Sequence, residues 1–169
     1  TECPDVKNLF PGSDIQQQIT VLRNAVNKAY SDKTLADKYD EVMAPAANIN
    51  TAIATLIEDA KAAQKKFEED AAAEKALVAA YNNANGLIEG LQKKLAETLS
   101  TIATECPDVK DNFKGEAVSA SIVSMKKDID KAFEDKTIVA NYDKLVAPAA
   151  SIEAAMAKLV EDAKAAQKK

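Results

Sequence analysis

The 169-residue sequence contains no histidine and no tryptophan, only four glycines and two cysteines, and 5% aromatic residues. Histidine is the commonest general base and the commonest metal ligand, so the most familiar catalytic and metal sites have no candidate residues. The glycines do not cluster into a phosphate-binding loop, and no histidine is available to activate a cysteine. We therefore expect a protein that is not an enzyme and that needs no cofactor or metal ion.

The sequence also lacks an excess of positive charge and any long hydrophobic run. Its formal net charge is −5, whereas binding to nucleic acid requires basic residues that neutralise phosphates. The apolar runs are far shorter than the ~20 residues of a membrane-spanning helix. No signal peptide is visible and the first residue is Thr, so we expect a processed form or a fragment. Nucleic-acid partners and membrane-spanning segments are not expected.

What the sequence does contain is alanine and charge. Hydrophobic residues make up 47% of the chain, many of them alanine, and charged residues make up 29%. This composition is typical of long helices rather than of sheets or disordered chains. Strand-like alternation of apolar and polar residues is absent. The sequence therefore predicts an all-α fold.

One part of the sequence occurs twice. Residues 1–66 align with residues 104–169 without a gap, and 34 of the 66 positions are identical. Both copies begin with TECPDVK and end with EDAKAAQKK, which gives a period of 103 residues. Such periods are typical of modular arrays. We expect a first helical repeat unit at 1–103 and a second, truncated unit at 104–169. The chain is then a fragment of a longer array or carries the array's terminal unit.

Within one repeat, apolar residues recur every three or four positions and predict helices at about 13–30, 34–43, 45–81 and 87–104. Ser13 and Gln16 fit a capping box. Pro45, like Pro148 in the second copy, suits the first position of a helix. The motif NNANG at 82–86 predicts a helix end. Three legs folding up, down and up would form an antiparallel helical bundle of the three-helix type.

The first helix carries an apolar stripe in both copies. The stripe consists of Ile15, Ile19, Leu22, Val26 and Ala29 or Tyr30 in the first copy and of Val118, Ile122, Met125, Ile129 and Phe133 in the second. The second copy has only two legs, so its stripe must pack on the first unit, on another molecule or on helix 87–104. We favour helix 87–104 as a shared partner. A unit would then run from Leu87 to Lys169, and residues 1–66 would be the incomplete copy.

The two cysteines, Cys3 and Cys106, occupy equivalent positions in the two copies. One interpretation is that each is a small buried residue that fixes its linker against its own unit. A disulfide within the chain is a second interpretation, which requires Cα atoms within about 7 Å. Pairing between molecules is a third.

Tyr39 and Tyr142 belong to a pattern that both copies share, DK-T-x4-Y-D-x3-A-P-A-A. They are recognition candidates if the pattern marks a surface repeated once per unit. The structural interpretation is that each tyrosine fills the bend before the proline while its hydroxyl reaches water or a carbonyl.

These observations favour a structural spacer or stalk module of a larger protein at the cell surface or secreted, whose partners are other repeat units of the same parent chain. The alternative hypothesis is an adhesion-type module that binds another protein through helix faces, with repetition providing avidity. That alternative predicts exposed residues that are identical in both copies, such as those of EDAKAAQKK.

Overall fold

The computed structural model describes residues 2–168, and these residues contain no β-strand. The prediction of an all-α fold is therefore confirmed. The helices are α1 (Ser13–Ser31), α2 (Tyr39–Met43), α3 (Pro45–Glu105), α4 (Glu116–Glu134), α5 (Ile138–Val146) and α6 (Pro148–Gln167), and short 3-10 helices lie at Lys7–Leu9 and Lys110–Asn112.

The chain divides into two compact units, with unit 1 ending at Ala72 and unit 2 beginning at Ala73. This boundary lies inside α3, so one helix contributes to both units. Within residues 2–168, none of the helices has a stretch of sufficient length and hydropathy to cross a bilayer.

Helix α3 continues through residues 82–86, where the sequence predicts a helix end. An interior glycine costs a helix about 1 kcal/mol relative to alanine, and Gly86 has a helical neighbourhood on both sides. The residues that override this cost are Leu77, Ala84, Ile88 and Leu91. They recur at helical spacing and are buried in the core of unit 2. Tertiary packing of this face thus keeps the segment helical, and the predicted helices 45–81 and 87–104 are one helix.

The starts of the first helices differ from the predicted capping box. The residue that precedes α1 is Gly12, with φ +64°, and the Ser13 hydroxyl lies 3.5 Å from the Asp14 carboxylate instead of capping the helix. Gly115 precedes α4 in the same way, with φ +66°. The left-handed conformation favours glycine because other residues have a Cβ that clashes with the backbone there. Both helices therefore begin with a glycine turn.

The ends of α1 and α4 are also alike. The Thr34 N–H donates to the Ala29 carbonyl at 2.9 Å and the Lys33 N–H donates to the Tyr30 carbonyl at 3.1 Å. This is the hydrogen-bond pattern of a Schellman motif. It places Lys33 in the left-handed conformation, with φ 58°, and Lys136 adopts the same conformation after α4, with φ 56°. The predicted helix 34–43 is consequently shortened to α2, because residues 35–38 form turns.

Unit 2 has one continuous core between its helices. The core contains the buried residues of the second half of α3 together with Val118, Ile122, Met125, Ile129 and Ala132 of α4, Ile138 of α5, and Ala149, Ile152 and Met156 of α6. A smaller cluster of Ile102, Cys106 and Ala163 lies where α3 leads into the linker. The second half of α3 is thus the third helical partner of α4 and α6.

Unit 1 consists of the TECPDVK segment, α1, α2 and the first part of α3. Its buried residues are few, namely Val6, Ala29, Ile49 and Gln64. Helix α1 packs on α3 near Gly12, where a Cβ would lie 3.5 Å from the Leu56 side chain. Two helical legs and a short connecting helix therefore make up this unit.

The TECPDVK segment is fastened to the following long helix by the same contacts in both units. In unit 1 the Gln64 amide donates to the Asp5 carboxylate at 2.7 Å and accepts from the Asp5 N–H at 3.2 Å. In unit 2, Gln167 and Asp108 make these two hydrogen bonds at 2.6 and 3.2 Å. We call this pair of bonds the clasp. The clasp joins the TECPDVK segment to α3 in unit 1 and to α6 in unit 2.

An ion pair accompanies each clasp. Lys61 lies 3.0 Å from Glu2, and Lys164 lies 2.7 Å from Glu105. The hydrogen bond from each lysine to its glutamate raises the pKa of Lys61 and of Lys164. Since all four side chains are largely exposed, these pairs orient the segment more than they stabilise it.

Candidate helix-binding face of unit 1

The most unusual surface of the molecule is an apolar face on α1. We define the α1 face as Ile15, Ile19, Leu22, Val26 and Tyr30. None of these five side chains is buried, and Ala29 is the sole buried residue of α1. Ile19 is 38% exposed and Tyr30 is 75% exposed. The predicted stripe is therefore present on the helix, but unit 1 does not enclose it.

The corresponding residues of α4 are enclosed. Ile122, which stands 103 positions after Ile19, is 2% exposed, and Ile129, which corresponds to Val26, is fully buried. Val118 and Met125 are buried as well. The predicted stripe of the second copy is confirmed as a core stripe. Because the residue types are similar, the difference in burial comes from what surrounds the two helices.

In unit 2 the covering element is the part of α3 from Leu77 to Ile102. The Tyr81 ring stacks on Phe133 with centroids 4.2 Å apart, and the Tyr81 hydroxyl donates to Asp130 at 2.9 Å. At the other end of α4, a Cβ on Gly115 would lie 3.1 Å from Leu95 and 3.3 Å from Leu99. The covering segment therefore runs antiparallel to α4.

The same segment runs parallel to α6. Lys94 pairs with Glu153 in the first half of α6, and Glu105 pairs with Lys164 near the ends of both helices. The contacts place residues 77–102 beside α4 and α6 within unit 2, and whether helix 87–104 is shared between the two copies stays a prediction.

A groove lies beside the α1 face in unit 1 and shares only Leu22 with it. It is a cavity of about 560 Å³ between α1, α2 and the start of α3. Its lining combines apolar side chains, among them Leu22, Val42 and Ile49, with the polar side chains of Asp14, Gln17, Gln18 and Asn48.

The groove is accompanied by an exposed aromatic patch beyond the end of α1. Tyr30 and Tyr39, 75% and 57% exposed, line a second cavity of about 740 Å³ together with Leu35. The corresponding Phe133 and Tyr142 pack against the core of unit 2. Of the two predicted recognition candidates, Tyr39 is therefore available at the surface and Tyr142 fills space beside the core.

The polar residues of α4 that contact the covering segment in unit 2 differ from the residues at the corresponding positions of α1. In unit 2, Lys126 pairs with Asp130 and lies 5.5 Å from the centre of the Tyr81 ring. The hydrogen bond from Lys126, followed by the one from Tyr81, lowers the pKa of Asp130, and the same carboxylate raises the pKa of Lys126. In unit 1 the equivalent positions hold Arg23 and Asn27, so the ion pair is absent there.

The cysteines lie away from this face, whereas Pro45 lines the groove beside it. Cys106 is buried in the small cluster with Ile102 and Ala163, Cys3 is half-buried, and both are free thiols. Pro45 and Pro148 are the first residues of α3 and α6. These four residues occupy structural positions at the linkers and bends.

Two features of the structure were not predicted from the sequence. The clasp glutamines Gln64 and Gln167 belong to EDAKAAQKK, whose identity in the two copies is the signal that marks them. The left-handed Lys33 and Lys136 carry no such signal, since lysine is not a residue that favours this conformation.

A metal-binding site would require a cluster of ligand side chains among the residues that the structure describes. Residues 2–168 hold no group of three or more acidic, cysteine or histidine side chains that could bind a metal ion. No known protein family, curated protein or solved structure is detectably similar to this chain.

Proposed function

We propose that this chain is a non-enzymatic structural spacer built from tandem 103-residue helical repeats, each closed as an antiparallel bundle of the three-helix type. In this proposal it belongs to a larger protein at the cell surface or secreted, and its partners are other repeat units of that parent. The observation that carries the proposal is the clasp, which forms twice between residues 103 positions apart with hydrogen bonds that agree within 0.1 Å.

The course of α3 supports a continuous array. Its first part serves unit 1 as the second leg, and its second part serves unit 2 as the covering helix. The boundary between the two units lies within this one helix, and in the proposed spacer each long helix contributes to two consecutive units. A complete repeat unit in this scheme comprises the second half of α3, α4, α5 and α6.

The proposal is tested by lengthening the chain by whole periods. Residues 1–103 are inserted once and twice ahead of Thr1, and the maximum dimension is measured by small-angle X-ray scattering. A spacer predicts an equal increase for each added period, with helical content per residue unchanged. An added period that leaves the maximum dimension unchanged would contradict the proposal, because the units would then be packing into one compact particle.

A second candidate function is an adhesion-type protein-binding module. The exposed Tyr30 and Tyr39 favour it, since tyrosine is enriched at interfaces. The test is binding of the chain to a panel of purified extracellular-matrix proteins, compared with the variant Tyr30→Ser/Tyr39→Ser. Binding that the double variant abolishes would support this candidate, whereas a panel without a binder would leave the spacer as the better account.

A further inference from the structure

We infer that the α1 face binds a second copy of the helix segment 77–102, oriented antiparallel to α1 and supplied by a repeat unit that leads directly into residues 1–7. This inference rests on the proposed repeat architecture and adds a binding site to it. The occupant is thus an amphipathic helix with the apolar spacing of Leu77, Ala84, Ile88 and Leu91.

Unit 1 is less buried than unit 2 along one continuous face. Each position of the α1 face is more exposed than its counterpart 103 residues later, and the pattern includes the start of the second leg. Ala46 and Ile53 of α3 are partly exposed, whereas Ala149 and Met156 of α6 are buried. In unit 2 these counterparts pack around the second half of α3. Unit 1 therefore lacks a helix at the position that the second half of α3 occupies in unit 2.

The glycine turns give a second, local argument. Around Gly115, a Cβ would meet three leucines, of which Leu159 belongs to α6 while Leu95 and Leu99 belong to the covering segment. Around Gly12, the one neighbour within this range is Leu56, which is the counterpart of Leu159. The two missing neighbours are those that a second copy of segment 77–102 supplies, so the site at Gly12 is shaped for them.

The polar side chains beside the α1 face indicate which contacts it can make with the incoming helix. In unit 2 the segment is anchored by the Tyr81 hydroxyl on Asp130 and by Lys94 on Glu153. The counterparts in unit 1 are Asn27 and Asn50. Neutral amides can accept hydrogen bonds from the same tyrosine and lysine, but they form no ion pairs. The α1 face is therefore expected to select its helix by apolar contacts, and binding should depend little on salt.

The connection between residues 73–103 and the TECPDVK segment at 104–110 indicates which part of the parent protein supplies the binding helix. Residues 73–103 lead into TECPDVK at 104–110, and the clasp fastens this segment to the end of α6. Residues 1–7 have the same sequence and an equivalent clasp. A copy of residues 73–103 placed directly ahead of Thr1 therefore reproduces the connection that unit 2 already uses.

The experiment is to extend the full chain in this way and to follow amide hydrogen exchange across α1. In the extended chain, exchange at Leu22 and Val26 should slow by at least ~10-fold relative to the 169-residue chain. The matched control carries Asp in the added copy at the positions of Ile88 and Leu91, and it should leave exchange at α1 as fast as in the 169-residue chain. Slowing that is equal in the control extension, or absent in both, would overturn the inference.

Self-association provides the competing outcome. If the α1 face is covered by a second unit 1, the 169-residue chain will sediment as a dimer at micromolar concentration, and the extension will not dissociate it. That result would overturn the inference, whereas a monomer, or a dimer that the extension dissociates, supports it. Regular growth in length without protection of α1 would reject this site while leaving the spacer proposal standing.

Discussion

The Tyr81 hydroxyl donates a hydrogen bond to the Asp130 carboxylate at 2.9 Å, and the ring of the same tyrosine stacks on Phe133. Lys126 pairs with this carboxylate from one turn earlier on α4. These contacts join α3 to α4 at the edge of the core, where the carboxylate remains partly exposed. They make Asp130 the clearest source of pH-dependent stability in unit 2.

Asp130→Asn should reduce the stability of unit 2 at pH 7 and have progressively less effect as the pH falls from about 5 to 2. Lys126 and Tyr81 hold the pKa of Asp130 below its ordinary value. A depressed pKa contributes stability above the pKa of the unfolded state, and this contribution is lost as the pH falls through the folded-state pKa. Urea unfolding at several pH values measures the difference.

The matched control is Asp128→Asn, at an exposed position of the same helix. It removes one negative charge without touching Tyr81 or Lys126. An Asp130→Asn effect that is the same at pH 7 and pH 2.5 would show that the ion pair and hydrogen bond are not its source.

Truncating an apolar side chain should destabilise unit 2 more than truncating the corresponding side chain destabilises unit 1. Ile129→Ala should cost about 3 kcal/mol, because Ile129 is fully buried and the surrounding helices cannot close the cavity. Val26→Ala at the corresponding position should cost about 1 kcal/mol or less, since Val26 is only partly covered. Residue-resolved NMR intensities during urea unfolding report each unit by itself. Equal costs would mean that α1 is as well packed as α4.

The two glycine turns should respond unequally to alanine. A left-handed conformation costs an L-residue roughly 1–2 kcal/mol, and this cost applies to Gly12→Ala and Gly115→Ala alike. At Gly115 the new Cβ also meets Leu95 and Leu99 at 3.1 and 3.3 Å, which should add about 1 kcal/mol of overpacking. Thermal unfolding of the two single variants measures the difference. A larger loss for Gly12→Ala would contradict the packing described for the two turns.

Glycine should be preferred to lysine at the helix ends. Lys33→Gly and Lys136→Gly should each stabilise the protein by about 0.5–1 kcal/mol, because each removes a Cβ from a left-handed residue of a Schellman motif. The control Lys127→Gly, at an exposed interior position of α4, should instead destabilise by about 1 kcal/mol. Chemical denaturation measures all three. Destabilisation by Lys33→Gly would show that the lysine side chain makes a contribution beyond its backbone.

The sequence predicts the all-α class, the starts of α3 and α6 at proline and the apolar stripe of α4, because each depends on local periodicity or on the fixed φ of proline. It does not predict that residues 82–86 stay helical. That outcome depends on Ile88 and Leu91 being held by α4 and α6, which lie far along the chain. The exposure of the α1 face has the same origin, since Ile19 and Ile122 are the same residue type and differ only in their surroundings.

Unit 2 has a covering helix that unit 1 lacks, and amide hydrogen exchange of the unmodified 169-residue chain measures the consequence. Exchange should be slowest at residues 122–132 of α4 and at least ~10-fold faster at residues 19–29 of α1, because the opening free energy follows the burial of each helix. Equal protection of the two segments would contradict the account. It would mean that the α1 face is already covered in solution.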